Sequence, residues 1–290
     1  MQKKKIKSLI FGISGQDGSY LGHLLLSKGY EVYGTTRKIR KKNLNNLNKL
    51  GVLNKIKILK CDTKNFKIVN KLIKKIKPQE IYYLCGQSSV IKSFPNPVEA
   101  FRSNTAGLLN ILSTVKKIKK NIKIFNAVSG EIYGNTKNNI FNEKSNIDPR
   151  SPYGVSKASS FWLTKIFREC YGIKCCNGIL FNHESPLRSD EFVTKKIINH
   201  CQLIKKRKLK YLYLGNIEIY RDWGWAPEYV EAMYLMLKQK HPKDLVIGSG
   251  KRHSLKSFVF EVFRLLKIPK KHLKINRKTL MRKKDIKSYR

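Results

Sequence analysis

A chain of 290 residues, 41% of them hydrophobic, is long enough to bury a full α/β core without external staples, as one large domain or two unequal ones. Its six cysteines (Cys61, Cys85, Cys170, Cys175, Cys176 and Cys201) form no C-x-x-C pair and no His/Cys cluster with zinc-ligand spacing, which argues against a disulfide framework or metal site and for a reducing cytoplasm. The net charge of +42 invites a nucleic-acid or membrane reading, but the 61 Lys and Arg are spread through every segment among abundant Asn and Ile, so we read a solvated surface that attracts anions.

The basic start (Lys3, Lys4, Lys5, Lys7) leads into an apolar run from Leu9 to Ile13 that is too short for a secretory signal, and no stretch reaches transmembrane length. Short apolar runs, each followed by a helix-length segment, then repeat through the first two-thirds. That rhythm predicts βαβ units and a Rossmann-type, doubly wound parallel sheet. The first strand spans Ile6 to Ile13. It runs into Gly12-Ile13-Ser14-Gly15-Gln16-Asp17-Gly18 and a helix around Tyr20 to Lys28. Glycines at 12, 15 and 18 permit a tight turn and let a helix N-terminus approach a pyrophosphate, so a dinucleotide is the expected ligand. The second strand, Glu31 to Thr35, ends in Thr36-Arg37-Lys38, where an acidic residue would otherwise accept a ribose hydroxyl. A guanidinium there suits a 2′-phosphate and favours NADP over NAD; the plainer alternative is a basic loop in a basic protein.

A third strand (Ile56 to Leu59) precedes Asp62-Thr63, placed to meet the adenine edge, and a helix from Phe66 to Lys75. The fourth strand (Glu80 to Leu84) ends in Leu84-Cys85-Gly86-Gln87-Ser88, placed to follow the cofactor backbone. A helix from Asn104 to Ile118 and a fifth strand from Lys123 to Val128 come next. That strand ends in Ser129-Gly130-Glu131: Ser129 can hydrogen-bond a reacting hydroxyl or carbonyl, and Glu131 can act on the neighbouring carbon. Tyr153-Gly154-Val155-Ser156-Lys157 puts a phenol and an ammonium four residues apart on one helix face, on a helix expected to run to Tyr171. The cation stabilises a phenolate, so Tyr153 can exchange a proton while hydride moves to or from the cofactor. After a strand from Lys174 to Leu180 the pattern changes. Short strands (Tyr211 to Leu214, Leu245 to Ile247) mix with helices (Phe192 to Lys205, Pro227 to Lys238, Leu255 to Leu266). We expect an NADP-binding domain over 1–181 and, over 182–290, a smaller mixed α/β substrate lobe from which a segment near 211–240 returns to the first domain.

The glycine spacing resembles the short-chain dehydrogenase/reductase superfamily, and longer stretches narrow the resemblance to the GDP-mannose 4,6-dehydratase family. These are Gly15-Gln16-Asp17-Gly18-Ser19-Tyr20-Leu21, Pro149-Arg150-Ser151-Pro152-Tyr153, the run from Asn177 to Pro186 containing Asn182-His183-Glu184-Ser185, Phe192-Val193-Thr194, and Leu212 to Asn216 through Arg221-Asp222-Trp223-Gly224. The resemblance implies catalytic roles for Ser129, Glu131, Tyr153 and Lys157, and NADP contacts for His183 and Arg188. It also implies a place near a GDP-sugar for Ser88, Asn182, Val193, Lys196 and Arg221, and a homodimer or homotetramer. The implied activity converts GDP-mannose to its 4-keto-6-deoxy product, without nucleic acid or membrane. A related GDP-sugar reductase, a dehydratase for another hexose or heptose, and a catalytically weak homologue remain as alternatives. Two departures stand out: Ser129 replaces a usual Thr and keeps the hydroxyl, whereas Gly130 replaces a usual Ser and should loosen the turn beside Glu131. The chain also ends at Arg290, where the resemblance implies a further stretch completing the small lobe.

Overall fold

In the computed structural model, which describes residues 5–118, 121–134 and 140–275, apolar runs become strands and periodic segments become helices. In chain order these are β1 (Lys7–Phe11), α1 (Gln16–Ser27), β2 (Glu31–Thr36), α2 (Asn45–Lys49), β3 (Lys57–Lys60), α3 (Phe66–Ile76), β4 (Glu80–Tyr83), α4 (Val90–Ser93), α5 (Pro97–Phe101), α6 (Gly107–Ile118) and β5 (Lys123–Ser129). There follow α7 (Pro152–Tyr171), β6 (Cys175–Leu180), β7 (Asn182–Glu184), α8 (Val193–Lys205), β8 (Leu212–Leu214), β9 (Tyr220–Trp225), α9 (Ala226–Lys238), β10 (Leu245–Ile247), β11 (Arg252–Ser254), α10 (Leu255–Leu266) and β12 (Leu273–Ile275). Among the described residues no helix is long and apolar enough to cross a membrane.

The chain forms two compact units. Among the described residues, the first runs to His183 and includes Gly224–Ile247; the second comprises Glu184–Trp223 and residues 248–275. The first unit is a seven-stranded parallel sheet of order β10-β6-β5-β4-β1-β2-β3. Its inner strands are buried on both faces, which is why β1, β4 and β6 read as apolar runs instead of alternating patterns. On one face Leu21 and Leu25 of α1 pack with Tyr229, Met233 and Leu237 of α9 over Ile10, Tyr82 and Phe125. On the other, Val69 and Ile73 of α3 join Leu108, Ile111 and Val115 of α6 over Leu9, Phe11 and Ile124. The strand order reverses between β1 and β4, and the carboxyl ends at that switch point are where ligands of open α/β sheets bind.

The second unit has its own core, in which Ile197 and Cys201 of α8 meet Val259 and Phe263 of α10 with Leu212 and Leu214. β8 pairs in parallel with β12, and β11 runs antiparallel to the start of β9. Asp222 accepts hydrogen bonds from Ser249 Oγ (2.7 Å) and Gly250 N (2.9 Å), pinning the turn that leads into β11.

Two expectations are corrected. Gly224–Ile247 belongs to the first unit, so β10 is the edge strand of the large sheet, whereas Leu212–Leu214 stays in the second. The anchor is Asp244, which pairs with both terminal nitrogens of Arg168 on α7 at 2.7 Å and accepts from Asn177 N at 2.7 Å. An ion pair between residues 76 apart leaves no periodic trace in a three-residue strand. Regular α-helix also begins at Gly107 instead of Asn104, because Arg102–Ala106 form a π-turn. There Asn104 Nδ2 donates to Gln87 O (2.9 Å) and Ser156 Oγ (3.1 Å), and Thr105 Oγ1 donates to Ser156 O (2.8 Å). Such π-bulges cluster at functional sites, and this one locks the end of β4 to α7.

Candidate functional site

The turn after β1 is built by its glycines. Gly12 has φ +95°, and a Cβ there would stand 2.9 Å from the backbone of Cys85; a Cβ on Gly18 would stand 2.2 Å from Gly12 O. Gly15 is the N-cap of α1 and offers no side-chain acceptor to the first-turn N–H groups, so the helix end suits an anionic group. At the end of β4, Gln87 Oε1 is buried without a hydrogen-bond partner, while Gln87 N donates to Ser103 Oγ (3.1 Å) and its Nε2 to Ser89 O (2.5 Å). A close-approach glycine turn, an uncapped helix start and an unpaired buried acceptor along the switch point fit a dinucleotide.

The residues expected to line that groove divide. Arg37 projects from the end of β2 into solvent and pairs with Glu99 of α5 at 3.4 Å. Asp62 Oδ1 accepts from Lys64 N at 3.1 Å. Leu84 is half-buried against the core, and Ser88 is exposed. Thr63 turns inward instead: its carbonyl accepts from Asn110 Nδ2 at 2.8 Å, and its Oγ1 lies 3.9 Å from Cys85 Sγ. The side chains of Gln16 and Asp17 also serve the protein. Gln16 Nε2 donates to Asp17 Oδ1 (3.0 Å) and to His183 O (3.1 Å), and Asp17 Oδ2 lies 3.0 Å from His183 Nε2. His183 stacks on Tyr229, with ring centroids 4.4 Å apart, and its Nδ1 is 2.8 Å from Phe181 O.

The helix carrying the phenol and ammonium is set by its first turn. Ser151 caps α7 by accepting from Gly154 N at 3.0 Å, and Pro152 supplies the preset φ of the first helical position. Four residues after Tyr153, Lys157 is buried; its Nζ donates to Ala127 O of β5 at 2.8 Å and lies 5.9 Å from the Tyr153 ring centroid. Burial lowers the Lys157 pKa to about 8, opposed by the nearby Cys85 thiol and Asp17 carboxylate. These groups come from α1, the loop after β4, β5 and α7.

Ser129 and Glu131 stand where β5 breaks into a 3₁₀ turn over Gly130–Ile132, with Ser129 Oγ accepting from Glu131 N at 3.3 Å. A Cβ on Gly154 would lie 2.8 Å from Glu131 O, so α7 touches the backbone of this turn through a glycine. Gly130, in this turn, lies under the Phe181 side chain. The Phe181 ring closes on it so tightly that a Cβ would lie 3.2 Å away, and Phe181, Phe141 and Tyr133 stack behind it (6.2 and 4.9 Å between centroids).

The remaining expected residues are Asn182, half-buried in the first unit, and four in the second. Arg188 pairs with Glu184 at 3.3 Å, its guanidinium 3.6 Å above the Phe192 ring. Val193 begins α8, Lys196 is exposed on it, and Arg221 Nη1 donates to Tyr220 O at 2.8 Å. Sequence reasoning passed over Asn104, Ser156, Lys64 and Glu99, which lack a spacing motif and act only through the fold.

A parallel sheet with a crowded glycine turn at its switch point and a buried Tyr-Lys pair beside a Ser-x-Glu turn defines an extended short-chain dehydrogenase/reductase. The solved structures agree on the fold. A Bacillus anthracis dTDP-glucose 4,6-dehydratase in complex with NAD superposes with TM-score 0.81 at 22% identity, covering 93% of this chain and 84% of its own. A Thermotoga maritima UDP-glucose 4-epimerase with UDP-glucose gives 0.82 at 21%, covering 94% and 87%. A sequence profile described as GDP-mannose 4,6 dehydratase matches residues 9–289, and the chain belongs to that family. Relatives so named are 39% identical over 265 residues in Drosophila melanogaster (89% of this chain, 67% of the relative), 41% over 262 in Arabidopsis thaliana (87% and 72%) and 39% over 271 in Homo sapiens (91% and 73%).

Proposed function

We propose that this chain is a lyase that converts GDP-mannose to GDP-4-keto-6-deoxymannose, using NADP held along the β1 turn and the ends of β2 and β4. Bound NADP would supply the acceptor for the C4 hydride and return that hydride to C6, so the reaction is redox-neutral. Tyr153 takes the C4 hydroxyl proton, with the Lys157 ammonium favouring its phenolate, and Ser129 orients the hydroxyl. Once C4 is a carbonyl, the C5 proton is acidic. Glu131 removes it and protonates the departing C6 hydroxyl, which a plain reductase has no need to do; as the hydride reaches C6 a proton is added at C5, balancing the one Tyr153 took from the C4 hydroxyl. Arg37 supports NADP over NAD, and His183 and Arg188 are proposed as further cofactor contacts. Ser88, Asn182, Val193, Lys196 and Arg221 are proposed to contact the nucleotide sugar. We also propose a cytoplasmic location and a homo-oligomer, the association supported by the exposed apolar residues Val155, Trp162, Ile166 and Tyr171 along α7.

The observation that carries this reading is the buried Lys157, fixed on Ala127 O and beside Tyr153, on a helix whose Gly154 abuts the Glu131 turn. The test is incubation with GDP-mannose and catalytic NADP. Loss of one water without net change in NADPH, slowed at least about 100-fold by Glu131→Gln, is the expected result. Consumption of NADPH with the 4-keto sugar and no dehydration would instead make it a reductase.

A further inference from the structure

Only 19 of the 290 residues are acidic, yet two of them stand together at the expected adenosine end of the groove. Glu99 of α5 receives Arg37 from the end of β2 at 3.4 Å and Lys64 from the loop after β3 at 3.1 Å, and Lys64 also lies 3.8 Å from Asp62. Three separate elements thus bring two cations onto one carboxylate. Counting formal charges, Arg37 and Lys64 contribute two positives and Asp62 and Glu99 two negatives. The cluster is neutral inside a chain of net charge +42.

We infer that Glu99 is a specificity-determining residue that restrains the preference for the 2′-phosphorylated cofactor, by holding Arg37 and Lys64 as an internal anion with which the phosphate must compete. This rests on the reading of the glycine turn and Arg37 as a dinucleotide site. It adds Lys64 as a second cation for the phosphate and Glu99 as the group that positions both. A phosphate monoester carries close to two negative charges at neutral pH, so it gains from a cluster of net charge +1 and little from a neutral one. The nicotinamide half and the pyrophosphate are common to both cofactors and do not register the change. These ion pairs are partly exposed, so removing Glu99 leaves the fold almost undisturbed.

The test is direct binding of NADPH and of NADH to the full chain, followed by nucleotide fluorescence, for the parent, Glu99→Gln, Lys64→Met and the double variant. Glu99→Gln is expected to tighten NADPH about fivefold, roughly 1 kcal/mol, with NADH changed less than about twofold. Lys64→Met is expected to weaken NADPH by a similar factor, and the double variant to return near the parent. The gain in Glu99→Gln should shrink as salt rises from about 0.05 to 0.5 M, because the charges are solvent-facing. An NADPH/NADH affinity ratio that stays within twofold in Glu99→Gln, or a parallel change for both cofactors, overturns the assignment of Glu99 while leaving the dinucleotide site intact. Failure of the folded parent to bind either cofactor overturns the dinucleotide reading, and this inference with it.

Discussion

Replacing Lys157 with Met should stabilise the protein at neutral pH while removing its activity. The ammonium is buried, and its pKa is lowered from 10.5 to about 8, chiefly by desolvation. A displacement of that size corresponds to about 3 kcal/mol carried by the folded state whenever Lys157 is charged. Met has similar length and no charge. The variant recovers that cost but leaves Ala127 O without its 2.8 Å donor, a loss of about 1–2 kcal/mol. The net expectation at pH 7 is a gain of about 1–2 kcal/mol, a rise of a few degrees in Tm for a chain of this size. The sign with pH follows from linkage. Between about 8 and 10.5 the unfolded chain holds the Lys157 proton and the folded chain does not, so parent stability rises with pH across that window. By pH 9.5 the parent has regained about 2 kcal/mol and the advantage of the variant has gone. Urea midpoints of both proteins at pH 7 and 9.5, with dehydratase assays alongside, measure this. A variant less stable than the parent by the same amount at both pH values would refute the idea that a costly buried charge is retained for chemistry.

The same ionisation should appear in turnover: kcat/KM is expected to fall above pH about 8 as Lys157 loses its proton, and activity flat to pH 10 would contradict that. Asp17→Asn removes a carboxylate that favours the Lys157 ammonium, so this alkaline limb should move to lower pH; an upward move would sink the coupling. Glu131→Gln should slow dehydration about 10²–10⁴-fold while the absorbance of reduced nicotinamide builds up on mixing with GDP-mannose, because oxidation at C4 does not use the carboxylate. Gly18→Ala drives a Cβ to 2.2 Å from Gly12 O and should cost at least about tenfold in NADPH affinity, read by fluorescence titration. Asp244→Asn breaks the paired contact with Arg168 and leaves that partly buried cation uncompensated; a loss of about 2–4 kcal/mol is expected in denaturant unfolding, with cofactor affinity nearly unchanged.

What the sequence made legible was the part of the fold governed by local pattern. Inner parallel strands buried on both faces must be apolar runs, and α1, α3 and α7 carry caps or glycines where their boundaries fall. The Tyr-Lys spacing was readable because four residues on a helix fix a direction in space. β10 was placed in the wrong unit because its location depends on Asp244 finding Arg168, and the π-turn at Arg102–Ala106 was invisible because it depends on Asn104 and Thr105 finding Ser156. Lys64 and Glu99 escaped notice for the same reason: each is an ordinary surface charge until three elements meet.

Gln16 and Asp17 show how a motif can be right about location and incomplete about cause. Their place between Gly15 and Gly18 made them candidate cofactor contacts, yet both side chains turn back on the protein and clamp His183, which follows β6 at the far side of the switch point. Glycines are required at 12 and 18 by backbone crowding. The residues between them are free of that constraint, and here they tie α1 to the chain after β6 while Asp17 adds its field to Lys157. The glycine turn after β1 and the buried Lys157 are therefore one electrostatic unit. A substitution at Asp17 should be felt at Lys157 even if no ligand atom ever touches the carboxylate.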